Sequence, residues 1–280
     1  MREYIELGKP RIAWLLIYTA ITTYIFAETR VDLIKIIIFL IGGIFAVFGS
    51  NAINSVIDKD LDRMMRRTRN RPIPRGAIPP RKALVIGIIW LIIGSIIFTI
   101  FFGLYAGLAA LIGGLYYVIA YTIYLKRRTI WNTVIGGFAG SMPAITGWLA
   151  AKDYLSIEPV LLATIVFLWT PGHFWSLAYR VKEEYKLVDL PMLPVVKSDE
   201  YTRNMIIIFY LLTVISIFIS IFYITALSYI ISAVISILLL LYAVAILLRR
   251  FDKDTAWRSF KISSPTLALL FTGLMIAGLI

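Results

Sequence analysis

Nine runs of about 20 mostly apolar residues, the length one helix needs to cross a bilayer core, dominate this sequence and restrict what it can fold into. They fall at 12 to 28, 34 to 55, 83 to 102, 104 to 125, 130 to 150, 158 to 179, 205 to 223, 226 to 248 and 262 to 280. With 60% hydrophobic residues in 280, the chain carries far more apolar surface than one soluble core can hide. The expected fold is all-α: a polytopic membrane protein, a bundle of nine transmembrane helices forming one domain over residues 1 to 280. No short apolar segment with a small-residue cleavage site precedes the first run, so it reads as a span rather than a signal peptide. Cysteine is absent, which excludes disulfides, thiolate metal sites and a cysteine nucleophile.

Charge tests the count, because the cytoplasmic loops of membrane proteins collect Lys and Arg. With the N-terminus cytoplasmic, 25 of the 28 basic residues fall on that face, and only Arg30, Lys35 and Lys152 fall on the other. A wrong helix count would scramble this segregation. The net charge of +12 is therefore largely topology. The stretch "RMMRRTRNRPIPR" resembles a nucleic-acid patch only out of context: no soluble domain surrounds it and no aromatic residues interleave its arginines. The expected large partner is the lipid bilayer, with no nucleic acid.

The segment from Asn51 to Gly76, "NAINSVIDKDLDRMMRRTRNRPIPRG", is polar where an apolar run ends. Asn54, Asp58 and Asp62 recur every four residues, which sets them about 40° apart in succession along one stripe of a helix. Two readings fit that ladder. Hard oxygens on one face suit Mg²⁺, which takes one or two carboxylates plus substrate phosphates. Alternatively the helix has reached water, and Asp58, Asp60 and Asp62 are solvated and paired with Arg63, Arg66 and Arg67. The adjoining arginines favour the first reading, since metal-holding acids beside a basic segment make a receptor for a diphosphate.

"NSVIDKDLD" followed by "RTRNRPIPRG" resembles the first signature of the UbiA-type intramembrane prenyltransferases. "YTIYLKRRTIWNTVIGGFAGSMPAITGW" from Tyr121, "FLWTPGHFWSLAYR" from Phe167 and "EEYKLVDLPMLPVV" from Glu183 narrow the likeness to the protohaem IX farnesyltransferases. The resemblance runs from Gly8 to about Val196. It implies a nine-helix bundle that joins the farnesyl group of farnesyl diphosphate to a vinyl group of haem B, with addition of water, giving haem O and diphosphate. Asn54, Asp58 and Asp62 are then the catalytic, Mg²⁺-holding residues, and Arg67, Arg71, Lys126 and Arg127 are the candidates for the diphosphate oxygens. In the wider superfamily a second DxxxD pair can hold another Mg²⁺. Here Arg180 stands four residues before Glu184, which leaves Glu184 as a further metal candidate, with Glu183 and Asp189 as nearby substitutes or solvated loop acids. The implied location is the plasma membrane with the site facing the cytoplasm, and a downstream haem-modifying enzyme is a further implied partner. Two alternatives are a related prenyltransferase acting on a quinone precursor or archaeal lipid, and a cation-coupled transporter.

His173 is the single histidine, and it follows Thr170, Pro171 and Gly172 in an apolar run. Ionisable residues within spans are functional candidates by default, Pro and Gly can open a helix locally, and imidazole ligates haem iron. Haem contact is therefore its expected role, through the iron, a propionate or the attacking water. Arg66, Arg69 and Arg75 read as anchors to anionic headgroups, Gly113, Gly114, Gly136 and Gly137 as close-packing positions, and Trp148, Trp169 and Trp175 as cavity walls or interfacial belt.

Overall fold

The computed structural model describes residues 2–28 and 30–280, and among them the regular structure is helical, with no strands. A short α1 (Arg2–Leu7) leads to α2 (Pro10–Ala27), α3 (Leu33–Ile57) and the one-turn continuation α4 (Lys59–Met64). A loop then enters α5 (Pro80–Phe102) and α6 (Leu104–Leu115), which runs on as a π-helical segment, Tyr116–Leu125. α7 (Asn132–Ala151) and α8 (Ile157–Arg180) precede two short helices, α9 (Lys182–Leu187) and α10 (Leu193–Val196), and α11 (Asp199–Ser220), α12 (Leu227–Arg249) and α13 (Lys253–Leu279) complete the chain. Counting α6 with its π-helical extension, nine of these elements are long and apolar enough to cross a membrane.

The nine pack in chain order into a closed ring, each on its sequence neighbour, and α13 closes the ring against α2. Contacts of α2 with α7 and of α8 with α13 cross the interior. The two largest apolar clusters lie one mainly on α8, α11, α12 and α13 and one on α2, α3 and α5 to α7. Outward faces stay apolar, as Ile88, Ile89, Ile92, Ile96 and Ile100 on α5 show. Such a surface is stable only against lipid, and helices meet there through small residues. Gly113, Gly114 and Gly136 do serve close approach: an added Cβ would meet Met142, Leu91 and Ser50, or the Tyr121 ring.

Two helices start earlier than hydropathy suggests. α11 begins at Asp199, not 205, because the Ser198 side chain accepts a hydrogen bond from Tyr201 N (3.2 Å). α13 begins at Lys253, not 262: Asp252 and Thr255 form a reciprocal capping box, so residues read as a basic loop are its first turns. Pro171 and Gly172 do not open α8, which is helical from Ile157 to Arg180.

One end of the bundle carries residues 2 to 9, 58 to 79, 126 to 131, 181 to 198 and 250 to 252. Ion pairs knit these segments and the adjoining helix ends together: Arg75 with Glu3 and Glu6, Arg127 with Asp60, Lys182 with Asp199, Arg180 with Asp254 and Lys253 with Glu183. An apolar cap of Leu61, Met65, Tyr185, Val188, Leu190 and Met192 joins the segment after α3 to the one after α8. The fully buried Asn132 fastens a third, donating to the carbonyls of Thr129 (2.7 Å) and Pro191 (3.3 Å).

Candidate active site

Asn54, Asp58 and Asp62 are 2%, 2% and 5% exposed, whereas the side chain of Asp60 is 56% exposed. That contrast counts against the solvated reading of the ladder, because a helix end merely reaching water would not bury Asn54, Asp58 and Asp62 together. Helical bonding continues through the junction of α3 and α4, with Asp58 N to Asn54 O at 2.9 Å and Asp62 N to Asp58 O at 2.8 Å, so the stripe survives the break at Asp58.

The cations arrive from three other segments. Arg71 donates from Nη1 to both oxygens of Asp62 at 2.9 Å, and Thr68 Oγ1 donates to the Asp62 carbonyl at 3.0 Å, fixing the turn between them. Lys126 Nζ pairs with Asp58 Oδ2, and Asn54 Nδ2 donates to that same oxygen at 2.9 Å and to Thr122 Oγ1 at 3.0 Å. The π-helical turn supplies this geometry. Lys126 N bonds Tyr121 O and Thr122 Oγ1 bonds Tyr117 O, both at 2.8 Å and both five residues back, so the wider helix brings Thr122 and Lys126 onto α3. π-helical turns concentrate at functional sites. Tyr117 and Tyr121 stack on one another beside the acids, ring centroids 5.7 Å apart.

Lys9 completes the cluster, its ammonium donating to Asn54 Oδ1. It sits in the left-handed region, φ 52°, directly before the Pro10 that starts α2. Asn51 Nδ2 anchors that turn by donating to Gly8 O at 2.8 Å. Burial pulls the Lys9 pKa down to about 7; Arg71 and Lys126 push the same way, and Asp58 and Asp62 oppose. Sequence reasoning counted Lys9 only among the basic residues of one face. The available signal was a cation beside the proline that opens the first span.

The other sequence candidates divide. Arg127 turns away from the ladder to clasp the exposed Asp60 with two bonds of 2.8 Å, which holds the Asp60 carboxyl down at about 2. Arg67 is exposed and bonds Tyr185, whose phenol is pushed up by burial. Glu184 Oε2 is buried without a hydrogen-bond partner, and so is Asp58 Oδ1. Among the described residues no three His, Asp or Glu side chains gather as a metal-holding group. The donor set for a hard cation is Asn54, Asp58 and Asp62, of which Asp58 keeps one oxygen without any protein donor; Glu184 does not join them in a three-acid group. This fits Mg²⁺, which binds through few carboxylates and relies on substrate phosphates for the rest.

His173 occupies a different, uncharged setting. Its ring lies between Trp169 and Phe260, with centroids at 3.9 and 4.4 Å, and Nδ1 is 2.9 Å from Ser263 Oγ. Trp169 Nε1 donates to Ser263 O at 3.0 Å, so Trp169 is wall and fastener here rather than interfacial belt. Trp175 and Trp148 are buried as well, Trp175 edge-on to Phe209. A crevice of about 510 Å³ lined by Arg249, Arg258 and Lys261 lies elsewhere, between α12 and α13.

Residues 15–265 match the model of the UbiA prenyltransferase family. A Metallosphaera sedula protein named protoheme IX farnesyltransferase is 36% identical over 277 residues, covering 99% of this chain and 96% of its own. Proteins of the same name from Cutibacterium acnes and a Roseiflexus species are 42% and 39% identical over 76% and 99% of this chain. The chain spans only 64% and 52% of the length of those two relatives. Among solved structures, one of a digeranylgeranylglyceryl phosphate synthase matches with a TM-score of 0.81 at 22% identity over 99% of this chain and 98% of that one. A UbiA homologue from Archaeoglobus fulgidus bound to GPP and Mg²⁺ gives 0.74 at 19% identity over 97% and 99%. Both share the fold.

Proposed function

Because the chain belongs to the UbiA prenyltransferase family, we propose that it transfers a farnesyl group from farnesyl diphosphate to a vinyl group of haem B, with hydration, releasing haem O and diphosphate. The relatives' shared name supports the substrate pair. The observation that carries the reaction class is the buried ladder of Asn54, Asp58 and Asp62, already paired with Lys9, Lys126 and Arg71.

Diphosphate is a poor leaving group unless its developing charge meets partners already in position. Lys126, Arg71 and Lys9 are such partners, held near the acids they would exchange for phosphate oxygens. Asn54, Asp58 and Asp62 would hold Mg²⁺, and the unpartnered Glu184 is a further candidate; bound there, Mg²⁺ supplies charge neutralisation of the diphosphate. Tyr117 and Tyr121 present a stacked aromatic wall to the same cluster, suited to shelter an allylic cation from water. His173 is the candidate contact for haem. Arg67 and Arg127 act at the rim, Arg67 through Tyr185 and Arg127 by holding Asp60. Residues 1 to 280 act as one intramembrane domain of the plasma membrane, with the site and the N-terminus on the cytoplasmic side. The product is a substrate for a haem-modifying enzyme.

Expression in cells lacking their own haem O, followed by mass and absorption analysis of the extracted haems, tests the activity. Haem O is the expected product; accumulation of a prenylated quinone precursor or lipid without haem O would overturn the reading. The orientation is open to thiol labelling, since the protein has no cysteine. With an impermeant reagent on intact cells, Lys152→Cys is expected to label and Ser198→Cys to stay unlabelled. The opposite pattern would move the cluster to the outer face.

A further inference from the structure

His173 is held by a network of hydroxyls from Ser263, Tyr210, Ser259 and Ser176. Ser263 Oγ donates its single proton to Phe260 O at 3.0 Å. Tyr210 OH donates to Ser263 Oγ at 3.1 Å, and itself accepts from Ser259 Oγ at 3.3 Å. If the one proton of Ser263 goes to the Phe260 carbonyl, Ser263 Oγ accepts at its 2.9 Å contact with the imidazole, and the proton of that bond belongs to His173 Nδ1. The neutral ring then carries its lone pair on Nε2, the nitrogen that the bond to Ser263 leaves free. Both faces of the ring are covered by Trp169 and Phe260, so the imidazole cannot lie flat against a porphyrin and meets a ligand only through its edge.

We infer that Ser263 of α13 and Tyr210 of α11 are positioning residues that fix His173 in the Nδ1–H form and present Nε2 as an axial ligand to the iron of the haem substrate. This rests on the haem-prenylating reading above and decides among the contacts open to His173. A propionate accepts hydrogen bonds and needs an N–H, which Nε2 does not offer. Ferric iron accepts a lone pair, and the Nδ1–H bond to Ser263 is the kind of outer contact that orients a ligating imidazole and raises its basicity. The residue before the histidine serves the same end. At Gly172 a Cβ would lie 2.7 Å from the Tyr210 ring, so only glycine lets that tyrosine reach across α8 to Ser263.

The test uses the whole protein in lipid nanodiscs, titrated with ferric haem B and followed by absorption, by electron paramagnetic resonance and, after reduction, by the iron–histidine Raman stretch. The wild type is expected to show a histidine-ligated spectrum that His173→Ala abolishes and added imidazole restores. Ser263→Ala and Tyr210→Phe are expected to keep ligation, lower the iron–histidine stretch and weaken haem affinity by about tenfold. Loss of packing alone would leave the stretch where it is in whatever protein still folds and binds haem, and that result would overturn the inference. Tight haem binding whose spectrum is unchanged in His173→Ala would overturn it too, with haem recognition intact. Failure of the wild type to bind haem at all would instead sink the substrate reading together with the inference.

Discussion

The acid cluster at the end of α3 and the histidine nest between α8, α11 and α13 are both polar sites inside an apolar bundle, yet they solve burial in opposite ways. At the first, Asp58 and Asp62 are buried as ions, each facing a cation delivered by another segment. At the second no formal charge is buried; rings cover the imidazole and hydroxyls satisfy its one donor. Paired charges cost desolvation but can be exchanged for other charges, which would suit the proposed binding of a metal and a diphosphate. A neutral nest keeps one lone pair pointed in one direction, which suits recognition of a flat, largely apolar substrate.

Breaking the charged side gives the largest expected effects. Asp58→Asn or Asp62→Asn should lower turnover by about 100-fold or more, the scale of losing one preorganised charge at a reacting group. The protein should still insert in the membrane. Haem O production at matched protein levels, across a range of Mg²⁺ concentrations, checks this; near-normal output from either variant would return the ladder to a mere helix end.

Lys9→Met comes next. It removes one of three cations and should raise KM for the prenyl diphosphate by about tenfold, close to 1.4 kcal/mol. Haem affinity should not change. Lys9 also shows what the sequence hid. The nine spans and the Asn54, Asp58, Asp62 stripe were legible because charge in an apolar run has few explanations, and spacing of four is helical spacing. Lys9 was not, because it reaches the site only through a left-handed turn anchored by Asn51, and local sequence does not announce such a turn. The His173 nest was half legible: the histidine stood out, but Phe260 and Ser263 lie about 90 residues away and come to it only when α13 closes the ring. The π-helical turn had no sequence signal at all, since "YYVIAYTIYL" reads as ordinary span.

On the neutral side, Gly172→Ala should cost about 1–3 kcal/mol through the clash with Tyr210. Thermal unfolding in detergent measures that cost, and diphosphate affinity should be spared. The smallest effect belongs to Asp60→Asn. Asp60 is exposed and bonded to Arg127, which lowers its pKa from 3.8 to about 2, so its stabilisation is present above pH 3.8 and is lost as pH falls through 2. After solvent screening it should be worth no more than about 0.5 kcal/mol at neutral pH. A large loss of activity in Asp60→Asn would mean that the exposed acid, not the buried stripe, carries the chemistry.

The division of labour between the two sites is tested most directly by reciprocal binding. Asp62→Asn and His173→Ala would each be titrated, in nanodiscs, with a non-hydrolysable farnesyl diphosphate analogue plus Mg²⁺ and, separately, with haem B. The expected result is a double dissociation: Asp62→Asn loses the diphosphate analogue and keeps haem, and His173→Ala binds haem more weakly, without its histidine ligand, and keeps the analogue. Loss of both ligands in both well-folded variants, or the reverse pairing, would contradict it.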